Sequence, residues 1–309
     1  MRNAFADEVR KLATEDQRVV LLSGDIGNRL FDGLRGDNPA QFMNCGVAEA
    51  NMMGVAAGMA LCGLRPVVYT ITPFTTTRCY EQIRVDVAYH EAPVIIVGTG
   101  AGLAYAELGA THHSLEDLAI LRCLPGMQVF APTDANDLRG TLRAAIKSDR
   151  PTYIRIGKKG EKPYFTEVPE VAIGKFRVLK PGARIALLVA GTLIHEAAAA
   201  AEAITAQTGI TCELVSAACI KPLDEAYLAD AARRFEVLVT VEEHGVTGGL
   251  GAAVTEFVSG QPYRPLIVRI GTPDAFMHDL GTQEWARTQF GLDAEGIAKK
   301  VLTAIKAPN

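Results

Sequence analysis

Two α/β domains, each built on a doubly wound and mostly parallel sheet, are what this amino-acid sequence predicts. Three observations predict them. Short apolar runs such as RVVLLSG (18–24), PVIIVG (93–98) and ARIALLVA (183–190) have the length and composition of strands buried on both faces. Helical segments separate these runs along the chain, the alternation that produces right-handed βαβ units and a parallel sheet. Between Gly157 and Val171 the chain turns polar, reading GKKGEKPYFTEVPEV with two prolines, which marks a linker. The expected division is a first domain over 1–160, a linker over 161–175 and a second domain over 176–309.

The opening MRNAFADEVRKLATED reads as an amphipathic helix rather than a secretion signal. The strand Arg18–Gly24 follows. Next, NCGVAEANMMGVAAGMALCG (Asn44–Gly63) reads as a strand end and turn entering a helix that is apolar nearly all round, as interior helices are. Its one charge is Glu49, in the first turn. An ionised carboxylate in an apolar interior is costly, so it takes a partner or shifts its pKa upward. The plainer role for Glu49 is to complement the helix N-terminus. Then come the strand Arg65–Thr70, a helix over 76–89, the strand Pro93–Gly98, a glycine-rich loop and a helix over 115–124. The strand Gln128–Ala131, the helix Ala135–Lys147 and the strand Tyr153–Ile156 complete the first domain. In the second, strands are expected at Ala183–Ala190, Thr211–Ser216, Val237–Val241 and Pro265–Ile270, with helices at Ile194–Thr208 and near Glu295–Ile305.

Composition narrows the function. At 309 residues, with 49% hydrophobic and 21% charged, the chain is long and apolar enough for two cores. A net charge of −4 without charge runs leaves no footprint for nucleic acid or an anionic membrane. The six cysteines form no CxxC pair, so reduced thiols in a cytoplasmic protein are expected. There is no GxxxxGK[ST] loop, GxSxG elbow or HExxH pair, and GTGAG (98–102) lacks the dinucleotide spacing.

What remains lies after strands, where α/β sheets build their sites. Glu49 sits on the apolar helix. Phe74 and Tyr80 fall within TPFTTTRCYEQIR, although core packing explains either from periodicity alone. His112 and His113 follow a glycine-rich loop in ELGATHHSLEDL, and Arg2, Arg29, Arg155 and Lys158 are basic residues at expected pocket edges. Asp25 follows the first strand. A buried acid, an aromatic face and a histidine together suit a heteroaromatic cofactor.

These segments carry a resemblance. GVAEANMMGVAAGMA resembles the catalytic-glutamate helix of the transketolase family, PFTTTRCYEQ its pyrimidine-stacking segment, and GATHHSLEDLAILRCLPGM its active-site histidine loop. IKPLDEAYL, VTVEEHGVTGGLG and GTPDAFMHDLGTQEW resemble the family's C-terminal domain, especially that of deoxyxylulose-phosphate synthases. The resemblance covers essentially the whole chain. It implies a thiamine diphosphate pyrimidine-binding domain followed by a transketolase C-terminal domain. Glu49 matches the glutamate that hydrogen-bonds N1′ of the aminopyrimidine, Phe74 the ring stacked on it, and Tyr80 a second aromatic nearby. Asp25 matches an acidic position near the cofactor. His112 matches the histidine that contacts substrate oxygen, with His113 standing in place of the usual glutamine. Arg2 and Lys158 fall at phosphate-binding positions.

Departures bear on substrate and assembly. The family's sugar-reading aspartate is Leu108 here, an upstream phosphate-binding histidine is Gly100, and a second stacking phenylalanine is Thr77. An unusual sugar-type substrate is expected. SGDIGN (23–28) is not the family's diphosphate-binding GDG motif, and nothing else in the chain supplies one. The resemblance therefore implies a split enzyme. A partner subunit would bring the diphosphate-binding domain and hold most of the Mg²⁺, in an α2β2 heterotetramer. The expected activity is two-carbon ketol transfer. The alternatives are the β-subunit of a decarboxylating 2-oxo acid dehydrogenase component, a synthase-type decarboxylating condensation, and a non-catalytic partner-binding subunit.

Overall fold

The computed structural model describes residues 1–27 and 29–306 and contains two sheets. The strands are β1 (Val19–Ser23), β2 (Phe42–Asn44), β3 (Arg65–Ile71), β4 (Ile95–Thr99), β5 (Gln128–Phe130) and β6 (Thr152–Ile156). They continue as β7 (Arg177–Lys180), β8 (Ile185–Ala190), β9 (Cys212–Ser216), β10 (Cys219–Lys221), β11 (Val237–Gly245) and β12 (Leu266–Thr272). The first sheet runs in the order β10-β5-β6-β4-β3-β1-β2 and the second in the order β12-β11-β8-β9-β7. All pairings are parallel except β10 with β5 and β7 with β9. The α/β, mostly parallel architecture is as the sequence predicts, because the central strands are short, mostly apolar runs buried over all or nearly all of their length.

Three of the four edge strands were not legible in the same way. β2, β7 and β10 are only three or four residues long, and β10 leaves the later half of the chain to extend the first sheet. An apolar cluster continues across the same boundary. Leu118, Leu121, Met127 and Val129 pack in one core with Leu188, Val215, Leu228 and Leu250. The two sheets therefore share an apolar interior across that boundary.

Four expected elements differ in physically informative ways. The helix expected over 76–89 is broken: a helical turn over Thr72–Thr75 and a tighter one over Thr77–Cys79 lead through Tyr80–Gln82 into wide π-helical turns over Ile83–Tyr89. Its threonines cause the break. The hydroxyls of Thr75, Thr76 and Thr77 donate to the carbonyls of Thr72, Thr72 and Pro73 at 3.0, 2.7 and 2.9 Å, competing with the backbone ladder. The helix over 115–124 shortens to Asp117–Arg122. β11 runs on to Gly245 because Glu242, Glu243 and His244, which interrupt the apolar pattern, are buried with partners. The Glu49–Leu61 helix buries Met52, Met53, Ala56, Ala57 and Ala60, yet Val47 is 77% and Leu61 62% exposed. Its expected burial all round is thus corrected to one face. No helix among the described residues is long and apolar enough to cross a membrane.

Candidate active site

Parallel strands deliver their following loops to one end of the sheet. There the segments after β1, β2, β3, β4 and β6 carry Asp25, Glu49, Phe74, His112 and Lys158 respectively. Glu49 opens its helix and is 6% exposed. It has an ion-pair partner: Arg78 Nη1 lies 3.0 Å from Glu49 Oε2. The same guanidinium lies over the Phe74 ring, 3.9 Å from its centroid. A planar cation thus lies over an aromatic face with one of its nitrogens beside the acid.

Contacts continue outward from Phe74. His112 meets it edge-on with centroids 5.3 Å apart, and Tyr105 meets His112 at 5.7 Å. Thr111 Oγ1 lies 2.9 Å from His112 Nδ1 and orients the imidazole. Lys158 places its ammonium 4.3 Å from the Tyr105 centroid and pairs with Glu107, whose carboxyl is held below its usual range by that bond. Gly100 has φ +73°, and a Cβ there would stand 1.9 Å from Tyr105 Cε2. The Tyr105 ring therefore fills the space a side chain at position 100 would need.

The remaining expected residues are placed as follows. Asp25 is exposed and accepts from Asn44 Nδ2 at 3.1 Å, while Asn44 Oδ1 accepts from the Gly46 N–H at 2.9 Å. It thereby braces the turn that leads into the Glu49 helix. Arg2 is half-buried, with its Nε enclosed and without a hydrogen-bond partner among the described residues. His113 is buried with Nε2 unpartnered among the described residues, and burial lowers its pKa below the ordinary 6.5. Tyr80 is not drawn into the group. Its hydroxyl donates to the Ile120 carbonyl at 3.0 Å and its ring packs on the core, where burial pushes the phenol up to about 12. Arg155, expected at a pocket edge, is instead buried, with Nε 3.1 Å from Asp117 Oδ2. Asn28, the end of the SGDIGN stretch, lies outside the described residues. A cleft of 1030 Å³ lined by Asp25, Arg29, Arg35 and Asn44 flanks this group, and Glu49 is not in its lining. Contact geometry, not volume, marks the site.

Residues 1–160 match the model of the transketolase pyrimidine binding domain, and residues 174–297 that of the transketolase C-terminal domain. The chain belongs to the transketolase family. It is 35% identical over 308 residues to a subunit of the apulose-4-phosphate transketolase of Phocaeicola vulgatus, covering 99% of this chain and 97% of that one. It is 37% identical over 306 residues to 1-deoxy-D-xylulose-5-phosphate synthase 1 of Geobacter metallireducens, covering 98% of this chain but only 48% of the synthase. A solved split gene transketolase, described as an inactive beta4 tetramer, superposes with a TM-score of 0.89 at 34% identity, covering 98% of this chain and 97% of that one.

For a transketolase-family chain, two residues here escaped sequence reasoning. Arg78 is the only charge between Arg65 and Glu81, and stands four residues after Phe74. That isolation was the available signal. Tyr105 carried none, because its placement depends on the bare backbone at Gly100.

Proposed function

We propose that the chain is the β-type subunit of a split, thiamine-diphosphate-dependent transketolase-like enzyme that moves a two-carbon ketol unit between sugar-type substrates. The observation that carries this is the arrangement of Glu49, Arg78 and Phe74. The thiamine aminopyrimidine, like the guanidinium, is planar and turns a nitrogen edge outward, so the residues present fit it. Glu49 would hold the ring nitrogen N1′ and keep a proton there, and Phe74 would cover one face and exclude water. When bound, thiamine diphosphate supplies a carbon nucleophile for the ketose carbonyl and a ring that takes up the electron pair left by C–C cleavage. Asp25 steadies the turn beside that seat.

On the substrate side, His112 is held through Nδ1 and offers its other nitrogen to a substrate oxygen, with His113 behind it. Arg2 and Lys158 bind the anionic end of the sugar. Tyr105 over Gly100, with Leu108 beside the histidines, suits a sugar other than the usual pentose phosphate. We assign 1–160 to the pyrimidine-binding domain, 161–175 to the linker and 176–309 to the C-terminal domain, in a cytoplasmic protein whose six cysteines are unpaired. The diphosphate and Mg²⁺ fall to a partner subunit in an α2β2 assembly. Met43 and Val47, before the Glu49 helix, and Leu61, at its end, are exposed apolar side chains that such a partner would cover.

Co-expression with a subunit carrying the diphosphate-binding domain tests the proposal. A ketose donor and pyruvate are offered separately with thiamine diphosphate and Mg²⁺, to wild type and to Glu49→Ala. Ketose turnover lost in Glu49→Ala is expected. CO₂ release from pyruvate would instead favour the synthase-type reaction, to which the 37% identity points. Absence of cofactor binding in any complex would leave a non-catalytic subunit.

A further inference from the structure

The loop that carries Tyr105, Glu107, His112 and His113 is closed at its base by a bridge between Gly102 and Ser114, with N–H···O distances of 3.1 and 3.0 Å. That base rests on the second sheet. Glu243, buried on β11, accepts the Leu103 N–H through Oε1 at 2.6 Å. Arg155 donates to both the Ser114 and Glu243 carbonyls at 3.2 Å, so the two sides of the base are tied to one strand. The next residues continue the grip. His244 Nε2 accepts from the Ala119 N–H at 3.3 Å, and the Gly245 N–H donates to the Leu115 carbonyl at 2.8 Å. Gly102 has φ +65°, and a Cβ there would meet Glu243 Oε1 at 2.5 Å, so the backbone approaches the carboxylate as closely as glycine alone allows.

The Glu243 carboxylate is itself held in place. Arg287 Nε lies 2.5 Å from Oε2 and Gln283 Nε2 2.8 Å from Oε1, while Arg287 also bonds Glu196 and Thr192 at 2.9 Å each. A buried carboxylate with a guanidinium and two N–H donors on it has little freedom to move. We infer that Glu243 is a positioning residue, through which the C-terminal domain sets the histidine loop against Phe74. The inference rests on the active-site reading above. It gives the second domain a part in the reaction without touching cofactor or substrate. A displacement of about 1 Å at a reacting group can cost about a hundredfold in rate, so such an anchor matters for turnover.

Hydrogen–deuterium exchange tests this on the chain alone. In Glu243→Ala, peptides spanning 102–114 should exchange about tenfold faster, while those from β1, β3 and β8 keep the wild-type rate. Glu243→Gln keeps an acceptor for Leu103 but loses the charge on Arg287, and should loosen the same peptides less. It serves as the readable variant if alanine prevents folding. In the complex with the diphosphate-domain subunit, either substitution should lower kcat while thiamine diphosphate affinity stays within about twofold, since Glu49 and Phe74 are untouched. Unchanged exchange over 102–114, or faster exchange throughout both sheets with cofactor affinity lost as well, would overturn the inference. If wild-type complex neither binds cofactor nor turns over, the functional reading fails, and the exchange rates still decide whether Glu243 anchors the loop.

Discussion

Arg78 and Glu49 meet at 3.0 Å although Arg78 is 45% exposed and Glu49 almost wholly buried. The carboxylate is therefore satisfied from one side by a flexible, solvent-reachable cation. A partner of this kind can be exchanged for another planar nitrogen donor at low cost, because its own charge returns to water.

It follows that Arg78→Ala should change folding stability by no more than about 1 kcal/mol, the scale of a half-exposed ion pair. Glu49→Gln, by contrast, should weaken thiamine diphosphate binding by the partnered complex about tenfold or more, as loss of a charge-assisted bond does. Urea unfolding of the chain and calorimetric titration of the complex measure the two separately. A large stability loss in Arg78→Ala would contradict the exchangeable-partner account.

Gly100 and Tyr105 form a second testable pair. Gly100→Ala combines an unfavourable φ with a clash on the Tyr105 ring, and should destabilise by about 1–3 kcal/mol. Adding Tyr105→Ala should recover the clash part and leave the backbone part. A double-mutant cycle in urea gives the coupling; strict additivity would mean the ring is free to move aside.

The pH dependence of stability should contain a contribution from His113. Its folded pKa lies below the ordinary 6.5 because burial disfavours the charged ring. The unfolded chain then binds a proton that the folded chain resists, so stability rises with pH through this range. It is complete above 6.5 and falls as pH drops from there towards the folded value. His113→Gln should flatten that slope between about pH 7.5 and 5 in urea unfolding series. An unchanged slope would place the titration elsewhere.

Lys158→Met should raise KM for a phosphorylated ketose about tenfold while leaving kcat within about threefold, because the lysine is assigned to binding rather than chemistry. An unphosphorylated donor should be affected far less. Equal losses with both donors would remove Lys158 from the anion site.

Much of the candidate site's grouping was readable in advance. Glu49 stood out as the single charge in a long apolar segment, and Phe74 and His112 through motifs that each lie after a strand. Arg155 was misread for a physical reason: a basic residue near a polar linker looks exposed, yet its partner Asp117 lies 38 positions earlier. Tyr80 shows the converse limit, since the same aromatic spacing serves a site or a core until the contact with Ile120 is known.

The strands, their alternation with helices and the position of the acid follow from local properties: runs of apolar side chains, a change of composition, an isolated charge. Those properties act within a few residues, so the sequence displays them directly. The pairing of Arg78 with Glu49, the pairing of Cys219 with Phe130 that carries β10 into the first sheet, and the hold of Glu243 on Leu103 join residues 29, 89 and 140 positions apart. Such contacts exist only once the chain has closed on itself, because each depends on the shape left by many other side chains. In particular, the threonine-broken helix that brings Arg78 beside Glu49 and the bare backbone that admits Tyr105 have no counterpart in any hydropathy pattern.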